Sequence, residues 1–165
     1  MSIKIEIERK FLVSNSCYKK ECNSKEKITQ AYLSKDPKRC VRIRINDKKG
    51  WITIKGESDK KGVSRIEWES EIPLKTAKKL LGMCLPKPII KIRYKIPLNN
   101  NITIEVDEFL GHNKGLVLAE IELISKDQSF DKPDWLGKEV TGIKKFYNSM
   151  MWKLNESFVN SYKFQ

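Results

Sequence analysis

The sequence is poor in the residues that most often perform nucleophilic catalysis or bind zinc. Among its 165 residues there is one histidine, His112, and the four cysteines form no C-x-x-C pair. A zinc site or a disulfide framework is therefore not expected, and four reduced thiols that fill small spaces are the simpler interpretation. His112 lies in a Gly-His-Asn-Lys-Gly segment typical of a turn, so we expect no histidine base either.

Long apolar runs are also missing from the sequence. No segment approaches the ~20 apolar residues that a membrane-spanning helix needs. The first ten residues alternate in charge and do not resemble a secretory signal. We therefore expect a cytoplasmic protein with no membrane span, and the length suits a single domain over residues 1–165.

The sequence has fewer acidic than basic residues: 21 Asp and Glu and 33 Lys and Arg give a net charge of +12. Such a chain attracts anions, among them nucleic acid, membrane surfaces and phosphates. Many lysines occur in pairs typical of solvated turns and helix faces, at 19–20, 48–49, 60–61 and 78–79. The aromatic residues do not interleave with these pairs, so nucleic-acid binding is not favoured. The charge alone does not identify the partner.

The sequence does contain period-two alternation of apolar and polar residues, which predicts β-strands. Eight strands are predicted, over residues 3–13, 28–34, 39–46, 51–56, 63–72, 89–97, 102–110 and 116–125. Hairpin turns are predicted at 46–50 and 99–101, and helices at 14–21, 76–83 and 143–158. We therefore predict an α+β fold: a closed eight-stranded antiparallel β-barrel with flanking helices, including a C-terminal helix, because closure removes exposed sheet edges.

Ionisable side chains share one face on seven of the eight predicted strands, because side chains two positions apart point the same way. The basic members are Arg42, Arg44, Lys55, Lys91 and Arg93, and the acidic members are Glu6, Glu8, Glu67, Glu69, Asp107, Glu120 and Glu122. A sheet with one solvated side is the simpler interpretation. The sorting by strand instead favours a barrel interior in which the cations bind phosphate oxygens and the carboxylates bind divalent metal.

Several of these segments resemble the CYTH superfamily of triphosphate tunnel metalloenzymes. The stretch Glu6-Ile7-Glu8-Arg9-Lys10 matches the E-x-E-x-K signature of that superfamily. Further matches follow in order along the chain: Arg42-Ile43-Arg44, Thr53-Ile54-Lys55-Gly56, Arg65-Ile66-Glu67-Trp68-Glu69, Lys91-Ile92-Arg93-Tyr94, Glu105-Val106-Asp107 and Glu120-Ile121-Glu122. The resemblance covers about residues 3–150 and implies an eight-stranded tunnel with charged side chains inside.

The resemblance also implies a role for each matching residue. Phosphate oxygens would be held by Lys10, Arg42, Arg44, Lys55 and Arg93. Metal, either Mg²⁺ or Mn²⁺ and expected as two ions, would be coordinated by Glu6, Glu8, Asp107, Glu120 and Glu122. Catalytic roles fall to Glu67 and Glu69, which would bind the second metal or position water, and to Lys91 near the cleaved phosphate.

A later segment, Glu139 to Asn148, resembles the T-x-x-K-R-Y-x-N stretch of the same family. It makes Lys144 a further candidate for phosphate binding. Lys145 and Phe146 stand where the family pattern has Arg and Tyr, and the start of a helix with two solvated lysines is an equally good interpretation.

The resemblance implies metal-dependent hydrolysis of a small anionic triphosphate. Inorganic tripolyphosphate is the first expectation, because the chain is compact and shows no segment that reads a base. The alternatives within the same framework are an adenylate cyclase of the class IV type and a thiamine or nucleoside triphosphatase. A non-catalytic module that binds polyphosphate or nucleotide is the alternative of another class, and a homodimer is possible.

Overall fold

The structure is a computed structural model that describes residues 3–99, 102–154 and 156–162. Within these residues it contains nine β-strands, three α-helices and short 3-10 segments. The strands are β1 Lys4–Val13, β2 Ser24–Ser34, β3 Cys40–Ile45, β4 Gly50–Lys55, β5 Ser64–Ile72, β6 Leu85–Pro97, β7 Thr103–Phe109, β8 Val117–Glu122 and β9 Leu136–Glu139. The helices are α1 Tyr18–Glu21, α2 Leu74–Leu81 and α3 Glu156–Ser161.

Eight of the strands close into an antiparallel barrel, as predicted. Their order is β5-β4-β3-β2-β6-β7-β8-β1, and β1 returns to β5. β1 makes this closure by dividing along its length, since Lys4–Ile7 pair with β5 whereas Glu8–Leu12 pair with β8. β9 pairs with the end of β1, at Phe11 and Val13. A closed barrel leaves the eight strands with no free edge.

The outer face of one side of the barrel carries the larger apolar cluster. Outward side chains of β1, β6, β7 and β8, such as Phe11, Ile104 and Ile121, are buried there. Tyr18 of α1 and Trp135 cover them, with ring centroids 5.8 Å apart. The Tyr18 hydroxyl donates to the Glu108 carboxylate, which fixes α1 against the barrel. Apolar burial outside the barrel leaves its interior free for polar side chains.

A second apolar cluster fills one end of the barrel interior. Leu12, Tyr32, Phe109 and Leu118 lie on the inward faces of their strands and are buried together. The C-terminal segment completes this end with three buried residues, Phe146, Met151 and Val159. The polar part of the interior is thus bounded at this end by apolar side chains.

The α-helix predicted over 143–158 is wrong for most of that range, since α3 spans only Glu156–Ser161. Two 3-10 segments, Lys144–Phe146 and Asn148–Lys153, come before α3. Tyr147 has an extended conformation with φ −71° and ψ 133°, which interrupts a continuous helix. The interruption lets Phe146 enter the apolar end of the barrel while Tyr147 and Asn148 face the cavity.

Other boundaries also differ from the predictions. β2 begins at Ser24, four residues early, because its charged first residues obscured the alternation, and β9 was missed because four residues show too little pattern. The 46–50 turn is confirmed, with Asn46 Oδ1 accepting from the amides of Lys48 and Lys49. The turn predicted at 99–101 includes residues 100 and 101, which lie outside the described residues. In the described part of the chain, no helix has the length and apolarity required to cross a membrane.

Helix α2 packs closely on the start of β4, and Gly50 makes this possible. A Cβ placed on Gly50 would lie 2.3 Å from the Cβ of Ala77, which is fully buried. We therefore expect Gly50→Ala to lower the free energy of unfolding by about 1–3 kcal/mol through overpacking. Urea denaturation followed by circular dichroism measures the change.

Gly56→Ala is the matched control, since its added Cβ would meet Ile66 at 3.6 Å, an ordinary contact distance. Equal stability of the two variants would show that α2 does not pack on β4 as described.

Candidate active site

The barrel interior holds a charged cavity of about 520 Å³. Seven acidic side chains of its lining form what we call the acidic wall: Glu6, Glu8, Glu67, Glu69, Glu105, Glu120 and Glu122. Seven basic side chains form the basic wall: Lys4, Lys10, Arg42, Arg44, Lys55, Arg65 and Arg93. Eleven of the predicted site residues line it: Glu6, Glu8, Lys10, Arg42, Arg44, Lys55, Glu67, Glu69, Arg93, Glu120 and Glu122. They come from six strands, and strand alternation directs them inward together. Equal numbers of opposite charges keep a largely buried polar interior close to neutral.

Two arginines of β3 form part of the basic wall. Arg42 Nη2 donates to Thr53 Oγ1 at 3.1 Å, and Arg44 Nη2 donates to Glu69 Oε1 at 3.0 Å. Burial, together with the adjacent Arg42, lowers the pKa of Arg44. The Nε atoms of both arginines are buried and have no hydrogen-bond partner among the described residues. Each guanidinium therefore retains a donor for an anion inside the cavity.

Lys55 bridges two acidic side chains on neighbouring strands. Its Nζ lies 2.7 Å from Glu6 Oε1 and 2.7 Å from Glu67 Oε2. Arg65 Nε also donates to Glu6, at 2.8 Å. Burial alone would raise the pKa of Glu6, but Lys55 and Arg65 hold it well below its usual range. Glu6 is therefore a carboxylate at any physiological pH.

A similar network surrounds Glu120 on β8. Lys10 Nζ lies 2.7 Å from one carboxylate oxygen and Arg93 Nη2 lies 2.9 Å from the other. Burial opposes ionisation of Glu120, yet Lys10, Lys91 and Arg93 hold its pKa well below the usual range. Asn148 Nδ2 adds a longer contact of 3.4 Å.

Asp107 and Lys91 lie behind the cavity wall and do not line the cavity. Arg93 donates to both oxygens of Asp107 at 2.7 Å, and Lys91 Nζ donates to Asp107 Oδ2 at 2.5 Å. Burial and the nearby Arg93 lower the pKa of Lys91 to about 8. In this geometry Asp107 fixes Arg93 and has no free oxygen for metal. The metal role of Asp107 and the catalytic role of Lys91 therefore remain predictions.

Lys144 is also outside the cavity. Its side chain is exposed in a 3-10 segment, whereas Tyr147, Asn148 and Ser149 of the same region line the cavity. The structure therefore does not bring Lys144 to the other candidate residues, and its phosphate role remains a prediction.

Sequence reasoning assigned no role to several residues that line the cavity. Arg65 binds Glu6, Lys4 binds Glu122 at 2.7 Å, and Glu105 binds Arg93. Each lies two positions from an assigned residue on the same strand face, so alternation alone could have found it.

Glu8 is the least compensated carboxylate of the cavity. Its ion pair is with Lys10, at 3.7 Å. Burial and the neighbouring Glu120 carboxylate raise the pKa of Glu8 to about 7. In the register of β1 and β8, Glu8 lies directly opposite Glu122. Like charges in such a pair repel each other, so this position favours a cation between them.

The acidic wall fits a hard divalent cation, because it offers several carboxylate oxygens as ligands within one cavity. Glu105 and Glu120 form a second directly opposed acidic pair, across β7 and β8. Among the described residues, no three Asp, Glu, His or Cys side chains converge as metal ligands in their present positions. Lysine and arginine nitrogens occupy the oxygens of Glu6, Glu120 and Glu122 instead. Metal binding therefore requires these cations to move to another anion.

Comparisons with known proteins agree with this geometry. The inorganic triphosphatase of Acetivibrio thermocellus is 46% identical over 149 residues, which are 90% of this chain and 93% of that protein. The inorganic triphosphatase of Nitrosomonas europaea is 32% identical over 150 residues, 88% of this chain and 95% of that protein. A solved structure of the inorganic triphosphatase NE1496 matches with a TM-score of 0.60 at 30% identity, and the match covers 88% of this chain and 93% of that one.

A structure of the PH1012 protein from Pyrococcus horikoshii matches with a TM-score of 0.59 at 26% identity, covering 74% of this chain and 80% of that one. The family described as the CYTH domain matches residues 4–150, which include every strand of the barrel. The chain therefore belongs to the CYTH domain family.

Proposed function

We propose that this protein is a divalent-metal-dependent triphosphatase that hydrolyses inorganic tripolyphosphate to diphosphate and phosphate. The observation that carries the proposal is the cavity in which seven acidic and seven basic side chains meet. Two relatives that align over most of the chain are named inorganic triphosphatases, which supports the choice of substrate. A cavity for anions alone would not need the acidic wall.

Substrate and metal would bind by an exchange of ionic partners. Lys10, Arg42, Arg44, Lys55 and Arg93 would turn from carboxylates to phosphate oxygens. The carboxylates released in this way would then be available to metal. Because each buried charge keeps a partner throughout, the exchange avoids the cost of leaving a buried ion unpaired.

Glu6, Glu8, Glu120 and Glu122 would hold the metal, as Mg²⁺ or Mn²⁺ and in one or two ions. When bound, the metal supplies charge neutralisation at phosphate oxygens and lowers the pKa of a bound water. Asp107 has both oxygens bound by Lys91 and Arg93. We therefore assign Asp107 the role of positioning Arg93.

The reaction places few covalent demands on the protein. A water oxygen forms a bond to the terminal phosphorus and loses a proton to solvent, while the bridging P–O bond breaks and diphosphate leaves with the electron pair of that bond. Glu67 and Glu69 would position the water, because their side chains lie on the inward face of β5 together with that of Arg65. The basic wall would stabilise the negative charge on the transferred phosphoryl group and on the departing diphosphate.

A phosphate-release assay tests the proposal directly. Purified protein is supplied with tripolyphosphate, ATP, thiamine triphosphate or diphosphate, each with Mg²⁺ or Mn²⁺, and cyclic AMP is measured in the ATP reaction. We expect the highest kcat/KM with tripolyphosphate. Ligand binding without phosphate release from any compound would instead indicate a binding module, and cyclic AMP as the main product of ATP would indicate a cyclase.

Glu6→Gln tests the acidic wall. It removes one negative charge at nearly constant shape, and Lys55 keeps its ion pair with Glu67. We expect kcat/KM for tripolyphosphate to fall by about 100-fold or more, because a metal ligand is lost. Steady-state phosphate release measures the effect.

Glu139→Gln is the matched control for Glu6→Gln. Glu139 is a carboxylate on β9 that pairs with Arg9 at 2.6 Å and does not line the cavity. Its rate should stay close to that of the unsubstituted protein, and equal rates in both variants would contradict the assignment of Glu6.

The raised pKa of Glu8 predicts that metal binding depends on pH. With its pKa raised to about 7, the carboxyl is mostly neutral at pH 6 and mostly ionised at pH 8. Metal requires the ionised form, so affinity should rise with pH, by about tenfold over this range. Titration of Mn²⁺ monitored by electron paramagnetic resonance measures the dissociation constant.

Glu8→Gln has no carboxyl to titrate at this position. It should bind Mn²⁺ more weakly and with a flatter pH profile between pH 6 and 8. An unchanged slope in this variant would assign the pH dependence to another group.

A further inference from the structure

Beyond Glu26, strand β2 presents two uncharged polar side chains on its inward face. Its inward residues include Gln30, which is fully buried, and Tyr32, which is 4% exposed and lines the cavity. In the register of β2 and β3, Gln30 lies opposite Arg44 and Tyr32 lies opposite Arg42. Two neutral polar groups thus lie beside the two arginines that would bind phosphate.

These two side chains form a hydrogen-bonded pair with one donor unused. Gln30 Nε2 donates to the Tyr32 hydroxyl at 3.2 Å. Among the described residues the hydroxyl makes no other hydrogen bond, so its own hydrogen has no acceptor there. The Arg42 guanidinium across the strand pair carries donors only and cannot accept it.

Rotating the Gln30 amide by 180° would not remove the unused donor. The Tyr32 hydroxyl would then donate to the amide oxygen, and the amide N–H groups would lack an acceptor. In the present orientation the Gln30 Oε1 atom is itself buried without a partner. Buried polar groups are nearly always satisfied, so a pair with a spare donor beside an anion-binding wall indicates an acceptor that binds there.

We propose that the Tyr32 hydroxyl donates a hydrogen bond to a phosphoryl oxygen of the substrate at the apolar end of the cavity, and that Gln30 fixes the direction of this hydroxyl. The inference deepens the proposed function, since it takes a phosphate chain as the ligand. Phe109, Leu12 and Leu118 bound the cavity beyond Tyr32. The contact would therefore mark the position of the terminal phosphate.

The environment keeps Tyr32 in its donor form. Burial raises the pKa of the Tyr32 hydroxyl, which therefore stays protonated across the physiological range. It cannot act as a base there, and its contribution to binding should not depend on pH. A neutral donor also orients phosphate without adding to the repulsion between Arg42 and Arg44.

Tyr32→Phe tests the contact because it removes the hydroxyl and keeps the ring in the apolar end. Hydrogen bonds to charged groups predict that KM for tripolyphosphate rises by about 10- to 100-fold. The hydroxyl should contact ground state and transition state alike, so kcat should change by less than about threefold. The same rise in KM is expected at pH 6.5 and pH 8.5.

A binding measurement separates this inference from the proposed reaction. Tripolyphosphate in EDTA should raise the Tm of the unsubstituted protein and raise that of Tyr32→Phe by less. If the unsubstituted protein binds tripolyphosphate without hydrolysing it, the proposed function fails while this comparison still decides the role of Tyr32. An unchanged KM and an equal Tm shift in Tyr32→Phe would overturn the inference alone.

Two further variants guard against a purely structural effect. Tyr18→Phe removes another buried tyrosine hydroxyl, which lies outside the barrel on Glu108, and should leave KM unchanged. Tyr32→Phe could unfold because it leaves the buried Gln30 amide without a hydrogen-bond acceptor. The double variant Gln30→Leu with Tyr32→Phe removes both polar partners and should keep the fold. The double variant should show the same rise in KM, and a normal KM in that folded variant would refute the contact.

Discussion

The mutual neutralisation of acidic and basic side chains inside a closed barrel is the interaction on which this structure depends. Charges such as those of Lys55 and Glu6 are buried at a cost that only close partners can offset. The partners are shared. Lys55 forms ion pairs with Glu6 and Glu67, and Arg93 forms ion pairs with Glu120 and Asp107. Shared pairs can exchange one partner without becoming isolated, and this property suits a cavity that admits an anion together with cations.

The fold supplies this interior by placing its apolar contacts elsewhere. The larger apolar cluster lies outside the strands under α1 and Trp135, and the smaller one closes one end with the C-terminal segment. The centre is thereby left to polar groups held by strand alternation. This division explains why Phe146 and Asn148, only two residues apart, have opposite surroundings.

Alternation made the barrel interior predictable from sequence. Glu6, Glu8 and Lys10 could be placed on one inward face because side chains two apart on a strand share a direction, and the structure brings them into one cavity. Alternation does not report depth along the tunnel. It could not show that Asp107 lies behind Arg93, a fact that depends on cross-strand register.

The C-terminal region was less predictable for a different reason. Its apolar spacing fits a helix, but Phe146 and Met151 enter the barrel end, so tertiary contacts decide the backbone there. Lys144 consequently lies on the exposed side of a 3-10 segment. The positions of Gln30 and Tyr32 beside the cavity could not be predicted, because uncharged side chains do not contribute to the charge pattern that marks the inward faces.

The division of β1 between β5 and β8 has a consequence for biosynthesis. β1 is made before the other eight strands, yet β8, the partner of its Glu8–Leu12 half, follows more than a hundred positions later. Contacts between such distant segments form slowly, since a long intervening loop must close first. On the ribosome, the half of β1 that carries Glu6 would meet β5 first, whereas the half that carries Glu8 would stay unpaired until β8 has emerged. The cavity would consequently be complete only after this last pairing.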